Sequence, residues 1–318
     1  VTTVLAVARR CALLLASLIV SSLVVFILLR LLPGDIARTK LGMFATNEEV
    51  EALRVQLGLD RALAVQYLEW LGNAVRGDLG TSMISGASVG GELFAKSAVT
   101  LPLIAAASVL AFLVAVPLGM YAGLRRTSWR GVTVSGIGQL GVAVPTFWIG
   151  VLLITGFAVT LQWLPSGGFP VDSWRDTGEA VRSMILPTIT LALAQGAVLM
   201  RYARSATIDV LQTEWFRTAR ATGMSTRTAL RVHGVRNVLS PVVSVLGVQL
   251  ATLVVGAIIV ESVFALPGVG QMLLQDVSQR DVIKVQGTVA VATALVFVVG
   301  FVVDAALSVI DPRTRERE

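Results

Sequence analysis

Ser97 to Leu124 reads SAVTLPLIAAASVLAFLVAVPLGMYAGL, 28 residues without a charged side chain, bounded by Lys96 and by Arg125-Arg126. About 20 apolar residues carry a helix across the hydrocarbon of a bilayer, so this stretch is a membrane span. Lipid offers no partner to backbone N–H and C=O groups, and a helix satisfies them internally. Five more charge-free runs share the chain: Cys11 to Leu29, Gly131 to Val171, Ser183 to Met200, Asn237 to Val260 and Val285 to Val303. The run from Gly131 has 41 residues, too many for one helix and few for two. It ends in LPSGGFP over 164–170, a helix-breaking segment, so one helix over 133–162 and then a loop is expected. Six spans result, with both termini on one side.

Composition agrees. The chain is 55% hydrophobic and 14% charged, with a mean hydropathy of +0.78; soluble domains average about 25% charged. That excludes a soluble enzyme, a disordered chain, a disulfide scaffold and a nucleic-acid module. The lone Cys11 permits no internal disulfide and reads as an inert packed residue. The lone His233 rules out His-clustered metal sites and the usual His-based triads. No Gly-Lys pair occurs, so the chain has no P-loop for ATP.

The charges orient the spans. With the N-terminus inside, the inner segments carry 15 basic and 5 acidic residues and the outer ones 10 and 14. Basic excess marks the cytoplasmic face. Arg9-Arg10 before an apolar run suggests a signal peptide, but the run is long for one and Arg30 follows it instead of a small-residue cleavage site. An uncleaved first helix is expected, with Arg30 snorkelling at its far end. The layout is then residues 1–32 for the N-terminus and first span, 33–96 for an extracytoplasmic loop, 97–311 for a core of five spans with a cytoplasmic loop over 201–236, and 312–318 for a cytoplasmic tail. Val65 to Val75 in the outer loop is amphipathic, with Tyr67 and Trp70. It fits an interfacial helix anchored by its rings, or a docking surface. Gly119 and Gly123 spell GxxxG, a weak pointer to a specific helix contact in so glycine-rich a chain.

The 201–236 loop carries the most information. RYARSATIDVLQTEWFRTARATG, over 201–223, has helix formers and no proline. Gly223 suits a C′ position, where φ turns positive, and Ser225 or Thr226 suits the N-cap of a second helix. Small Ala219 and Ala221 before the glycine would let another backbone approach. A helix–Gly–helix element of this kind fits insertion into a partner's groove; an amphipathic helix on anionic lipid fits the same composition. Within the spans, Gln139, Thr146, Gln195, Gln249 and Thr293 are polar, and each suits either a solute pathway or a hydrogen bond between helices. Glu261 and Asp304 lie near span ends, where acids are functional candidates. Pro145 and Pro187 interrupt backbone hydrogen bonding and could act as hinges or as static kinks.

Thr218-Ala219-Arg220-Ala221-Thr222-Gly223 resembles the EAA loop of ABC importer permeases. That family's pattern is Glu-Ala-Ala, three residues, then Gly. Here Arg217, Thr218 and Ala219 hold the first positions and Gly223 the last. The family's closing Ile-x-Leu-Pro falls on His233, Val235 and Arg236, with proline only at Pro241. These departures resemble the peptide (dipeptide, oligopeptide, nickel) branch. So do motifs met in order along the chain: Leu32-Pro33-Gly34-Asp35, Leu57-Gly58-Leu59-Asp60, Arg76-Gly77-Asp78-Leu79-Gly80, Val144-Pro145-Thr146-Phe147-Trp148, Glu261-Ser262-Val263-Phe264, Pro267-Gly268-Val269-Gly270, Arg280-Asp281, Val285-Gln286-Gly287 and Asp311-Pro312-Arg313.

The resemblance implies an all-α, multi-pass type I ABC importer transmembrane domain in the bacterial cytoplasmic (inner) membrane, six helices with both termini cytoplasmic. It implies no catalysis and no cofactor in this chain, with ATP and Mg held by two ATP-binding subunits or domains. The other implied partners are a homologous second permease subunit, an extracytoplasmic substrate-binding protein and membrane lipid, with no nucleic acid. Arg217, Thr218, Ala219, Arg220, Ala221, Gly223 and Met224 would couple to the ATPase. Gln139, Thr146, Gln195 and Gln249 are pathway candidates. Glu261, Phe264, Pro267 and Gly268 would form a gate or binding-protein contact. The implied cargo is a di- or oligopeptide; relatives handle nickel, haem or oligosaccharides. Other classes fit less well. A secondary transporter wants midplane acids, and the central parts of these spans hold no Asp or Glu. A channel would not need the helix–Gly–helix element. An intramembrane protease needs a base beside its nucleophile or two aspartates in the membrane, and His233 sits in the basic inner loop.

Overall fold

The computed structural model describes residues 2–31, 36–42, 44–56 and 58–310, and only the backbone of residues 2–8, 10, 36, 39, 251 and 302–310. The Leu32–Asp35 and Asp311–Arg313 motifs, Leu57, the 312–318 tail and the side chain of Asp304 lie outside the described residues. Helices follow one another as α1 (Thr2–Leu31), α2 (Ile36–Leu41), α3 (Asn47–Gln56), α4 (Leu63–Val75), α5 (Val89–Leu124), α6 (Trp129–Ala143), α7 (Thr146–Leu153), α8 (Thr177–Gln212), α9 (Glu214–Ala221), α10 (Thr226–Ala229), α11 (Val235–Val263), α12 (Val269–Gln279) and α13 (Val282–Ile310). Wider π turns over Ile154–Thr160 and Leu230–Gly234 continue α7 and join α10 to α11. The single extended pairing among the described residues is a bridge from Thr81 to Ser88.

Among the described residues four helices are long and apolar enough to cross a membrane unaided: Cys11–Leu31, Val89–Leu124, Thr177–Gln212 and Val282–Phe301. Two bent pairs would raise the number to six if each makes one crossing. The single helix expected over 133–162 is one of these pairs, Trp129–Ala143 and Thr146–Thr160, which meet at 105°. Pro145 is the cause. It has no N–H to donate and forces the residue before it out of the helical region, and Val144 is extended at φ −83°, ψ 126°.

The chain forms two compact units, one of Val1–Val99 with Gly268–Val298 and one built mainly of Thr100–Pro267. In the first, α1 is peripheral: only 6% of its apolar stretch is buried, against 67% for α8. Cys11 is accordingly exposed, not packed as its sequence context suggests. The 65–75 stretch is helical, within α4, but Tyr67 is no headgroup anchor. Its ring edge meets Phe26 at 5.5 Å, and its hydroxyl donates to the Ile19 carbonyl at 3.0 Å and lies 2.9 Å from Ser22 Oγ. Arg30 folds back over Phe26, 5.2 Å from the ring centre. Thr46 and Glu49 cap α3 reciprocally: the Thr46 N–H donates to Glu49 Oε2 at 2.8 Å and the Glu49 N–H to Thr46 Oγ1 at 3.3 Å.

Motifs two hundred residues apart in sequence meet in this unit. Gly80, at φ +89°, lies under Ile283: a Cβ there would sit 2.9 Å from Cγ2. A Cβ on Gly287 would come within 2.9 Å of Val89 and 3.3 Å of Leu79. Asp281 caps α13 by accepting the Lys284 N–H at 3.2 Å, and also accepts from Ser82 Oγ at 2.6 Å and the Met83 N–H at 3.1 Å. Lys284 Nζ then bridges Glu92 at 2.7 Å and Asp276 at 2.9 Å.

In the second unit α8 is the central helix, packed by α6, α7 and α11, with Pro187 in its interior. α5 reaches it through the Gly119–Gly123 pair. A Cβ on Gly119 would lie 2.5 Å from the Met200 carbonyl oxygen, and one on Gly123 2.8 Å from Thr207 Cβ. The GxxxG spelling therefore has a definite partner, which the sequence did not single out.

Candidate coupling and translocation site

The 201–236 segment is helical almost throughout. The single helix expected over 201–223 breaks at Thr213, which is extended at φ −68°, ψ 148° and whose hydroxyl donates to the Val210 carbonyl at 2.7 Å. The break turns Phe216 inward. It is 3% exposed and packs with Ala206, Val210, Ala229, Leu230 and Val238. A large side chain on a short helix thus fixes α9 to the end of α8 and the start of α11. Gly223 ends the knuckle at φ +94°. The Met224 N–H donates to the Ala219 carbonyl at 3.3 Å, and Arg220 Nη1 to the Met224 carbonyl at 2.9 Å. Of the two residues that suit the cap by sequence, Ser225 and Thr226, Ser225 caps α10 by accepting the Thr228 N–H at 3.2 Å.

The coupling candidates divide accordingly. Ala219 and Met224 are half-buried against the Phe216 cluster. Arg217, Thr218, Arg220, Ala221 and Gly223 are exposed. Arg217 pairs with Glu214 at 2.8 Å, with both side chains largely in solvent. A Cβ on Gly223 would meet nothing within 4 Å. What α9 offers outward is a short, anchored, basic face with small residues between its arginines.

The gate candidates form a packed turn at the end of α11. Glu261 is fully buried and accepts from Thr100 Oγ1 at 2.5 Å; its carbonyl accepts the Leu266 N–H at 2.9 Å. Phe264, 1% exposed, sits in a socket of glycines. A Cβ on Gly150 would lie 3.2 Å from its ring, and one on Gly167 2.4 Å from its carbonyl oxygen, which accepts the Gly168 N–H at 2.7 Å. Pro267 is half-buried and Gly268 buried, so Ser262 and Ala265 are the exposed positions of this turn. The socket glycines were missed as site residues: LPSGGFP reads as punctuation, and only the fold brings it to Phe264.

The pathway candidates do not converge. Gln139 lines a cavity of about 330 Å³ between α6 and α8, with Ser135, Val142, Arg201 and Arg204, and the cavity takes in none of Thr146, Gln195 and Gln249. Gln195 is 4% exposed and neither amide atom has a partner; the Gln249 Nε2 is likewise buried and unpartnered. Thr146 opens α7, directly after the break. In the first unit a cavity of about 470 Å³ is lined by Ser82, Glu92, Lys96, Gln271 and Asp276 among others. Burial pushes the Asp276 carboxyl above the ordinary carboxylate range, against the hydrogen bond and charge of Lys284.

Among the described residues no group of three or more His, Cys, Asp or Glu could hold a metal ion. Gly86-Ala87-Ser88-Val89-Gly90 has the spelling of a nucleophile elbow, but an elbow needs a strand–turn–helix setting. Ser88 instead makes a single bridge with Thr81 and accepts the Gly91 N–H at the start of α5.

Residues 115–316 match the model of the binding-protein-dependent transport system inner membrane component, and residues 4–114 the N-terminal model of the same systems. A Brucella abortus protein named as a peptide transport system permease is 36% identical over 311 residues, 96% of this chain and 98% of that one. The glutathione transport system permease protein GsiC of Escherichia coli O6:H1 is 37% identical over 302 residues, 95% and 96% of the two chains. The inward-facing MetNI methionine ABC transporter shares the fold, with a TM-score of 0.55 at 18% identity over 69% of this chain and 96% of that one. This chain therefore belongs to the family of binding-protein-dependent transport system inner membrane components, the non-catalytic, multi-pass permease subunits of bacterial ABC importers.

Proposed function

We propose that this chain is one half of the translocation pathway of an importer for di- and oligopeptides, and that α9, Gly223 and α10 receive the ATPase stroke. The observation that carries the coupling role is the Phe216 anchor: a short exposed helix is tied to the ends of α8 and α11, so force applied to it moves both. The peptide assignment is supported by relatives named for peptide and glutathione transport along nearly the whole chain. Each bent helix pair makes one crossing, giving six spans with both termini and the 201–236 segment cytoplasmic. Residues 33–96 lie outside and 97–311 form the permease core, followed by the 312–318 tail. A homologous second permease completes the pathway, two ATP-binding subunits or domains supply ATP and Mg, and a binding protein delivers cargo outside. Phe264 in its glycine socket, with Glu261, Pro267 and Gly268, forms the outer gate, and Gln139, Thr146, Gln195 and Gln249 line the route at different depths.

The test is reconstitution. The chain is purified with the subunits that accompany it, placed in liposomes with the cognate binding protein, and assayed for uptake of a labelled dipeptide. Uptake that needs internal ATP and the accompanying ATPases is expected. Uphill uptake by the isolated chain, or uptake of sugars or metal ions but not peptides, would remove the reading.

A further inference from the structure

The cavity between α6 and α8 brings together four polar side chains and no acid. Ser135 and Gln139 stand one turn apart on α6, and Arg201 and Arg204 one turn apart on α8. Arg201 lies over the Tyr202 ring at 5.4 Å. None of the four side chains has an ion-pair or hydrogen-bond partner among the described residues, and Arg204 Nε is shut off from solvent with no acceptor. Asp209, farther along α8, is exposed and pairs with neither arginine. Basic excess at a cytoplasmic boundary explains why arginines occur here. It does not explain two unmatched guanidinium groups facing a hydroxyl and a carboxamide across a recess.

All four side chains can donate hydrogen bonds. A guanidinium fork matches the paired oxygens of a carboxylate, and a buried donor without an acceptor calls for one. The recess also sits where solute is expected. Val142 lines it, two residues before the extended Val144-Pro145 break. Non-helical backbone at membrane depth is tolerated where it lines a cavity or is buried in protein, and broken helices carry solute sites in other transporters.

We propose that this cavity is a station for the cargo's carboxylate. Arg204 holds the C-terminal carboxylate of a peptide, Arg201 adds charge at the mouth, and Gln139 and Ser135 donate to the carboxylate or to the last peptide carbonyl. The proposal rests on the peptide reading above and gives it a point of chemical selection inside the membrane domain. A lipid phosphate has related oxyanion chemistry, so the test separates the two sources.

In the assembled importer, carried in phosphatidylcholine nanodiscs, Cys11→Ser with Gln139→Cys leaves one thiol of this chain, in the cavity. Its labelling by a neutral maleimide is followed on this chain by mass. Ala-Ala, supplied to both faces, is expected to slow labelling about tenfold and its C-terminal amide to have little effect. Arg204→Gln should abolish the protection and Arg204→Lys should keep part of it. Ser135→Cys in place of Gln139→Cys should report the same pattern, which guards against a local effect of one substitution. Equal protection by peptide and amide overturns the proposal, as does no protection while the unsubstituted importer takes up Ala-Ala. Protection that follows added phosphatidylglycerol and ignores peptide assigns the oxyanion to lipid and also overturns it. If the unsubstituted importer takes up no peptide, the peptide reading itself fails, and the carboxylate station falls with it.

Discussion

Ser82 Oγ donates to Asp281 Oδ2 at 2.6 Å, joining residues 199 positions apart. Asp281 is 1% exposed and serves two further N–H groups, of Met83 and of Lys284. One carboxylate therefore starts α13 and holds the turn before α5. Asp281→Ala would leave buried donors unpaired and remove a helix cap, a loss of about 2–4 kcal/mol. Ser82→Ala removes one donor and should lose about 1–2 kcal/mol. Thermal unfolding in detergent would rank them; equal, small effects would mean the network is not structural.

Gly223 separates conformation from contact. Its φ of +94° disfavours any residue with a Cβ, yet no atom lies within 4 Å of where that Cβ would stand. Gly223→Asn should therefore be mild and Gly223→Val worse by about 1–2 kcal/mol, with the chain still folded. If a partner docks here, Gly223→Val should lower peptide uptake by more than its stability loss explains, while ATP hydrolysis persists. Uptake at the wild-type rate with Gly223→Val would remove α9 and Gly223 from the coupling path.

The anchor and the outward face of α9 should respond differently. Phe216→Ala empties a buried site among Val210, Leu230 and Val238 and should lower stability by about 3–5 kcal/mol. Arg217→Ala breaks only an exposed pair with Glu214, contributing under about 1 kcal/mol. A melting temperature unchanged by Arg217→Ala, together with weaker co-purification of the ATPase, is the expected result. Unchanged co-purification would move the contact elsewhere.

Legibility in the sequence followed the range of the forces involved. Lipid solvation acts on every residue of a span, so the charge-free runs located all the long helices. Local backbone chemistry was also readable: Gly223 turns with positive φ, and the cap of α10 falls on Ser225, one of the two neighbouring residues that suit it by type. The break at Thr213 was not, because good helix formers flank it and the cause is Phe216 finding a core built from α8, α10 and α11. The 105° bend was half legible: Val144-Pro145 marks a break, but no composition rule sets its angle. Tyr67 misled for a related reason. Its pattern fits a headgroup anchor, and only packing reveals that its hydroxyl reaches the Ile19 carbonyl in the middle of α1. Phe264 carried no signal of its socket, since Gly150 and Gly167 lie about a hundred residues earlier.

Glycine substitutions give the sharpest test of how α5 meets α8. At Gly119 a Cβ would lie 2.5 Å from the Met200 carbonyl oxygen and 2.7 Å from Ala203 Cβ; backbone on the central helix cannot swing aside as a flexible side chain can. Gly119→Ala must therefore push the helices apart, and Gly123→Ala meets Thr207 Cβ at 2.8 Å and the Arg204 carbonyl oxygen at 3.0 Å. Overpacking of this sort lowers stability by about 1–3 kcal/mol. Gly136, within α6, is the control. A Cβ there meets nothing within 4 Å, and alanine in place of glycine inside a helix gains about 1 kcal/mol. The two classes should shift the melting temperature in opposite directions, with Gly119→Ala and Gly123→Ala down and Gly136→Ala level or up. Because Arg204 and Thr207 lie on the α8 segment that leads into the Phe216 cluster, Gly123→Ala should also loosen α9 and lower the ATP hydrolysis that loaded binding protein stimulates. A Gly123→Ala protein as stable as Gly136→Ala would mean that α5 does not seat on α8 through this pair.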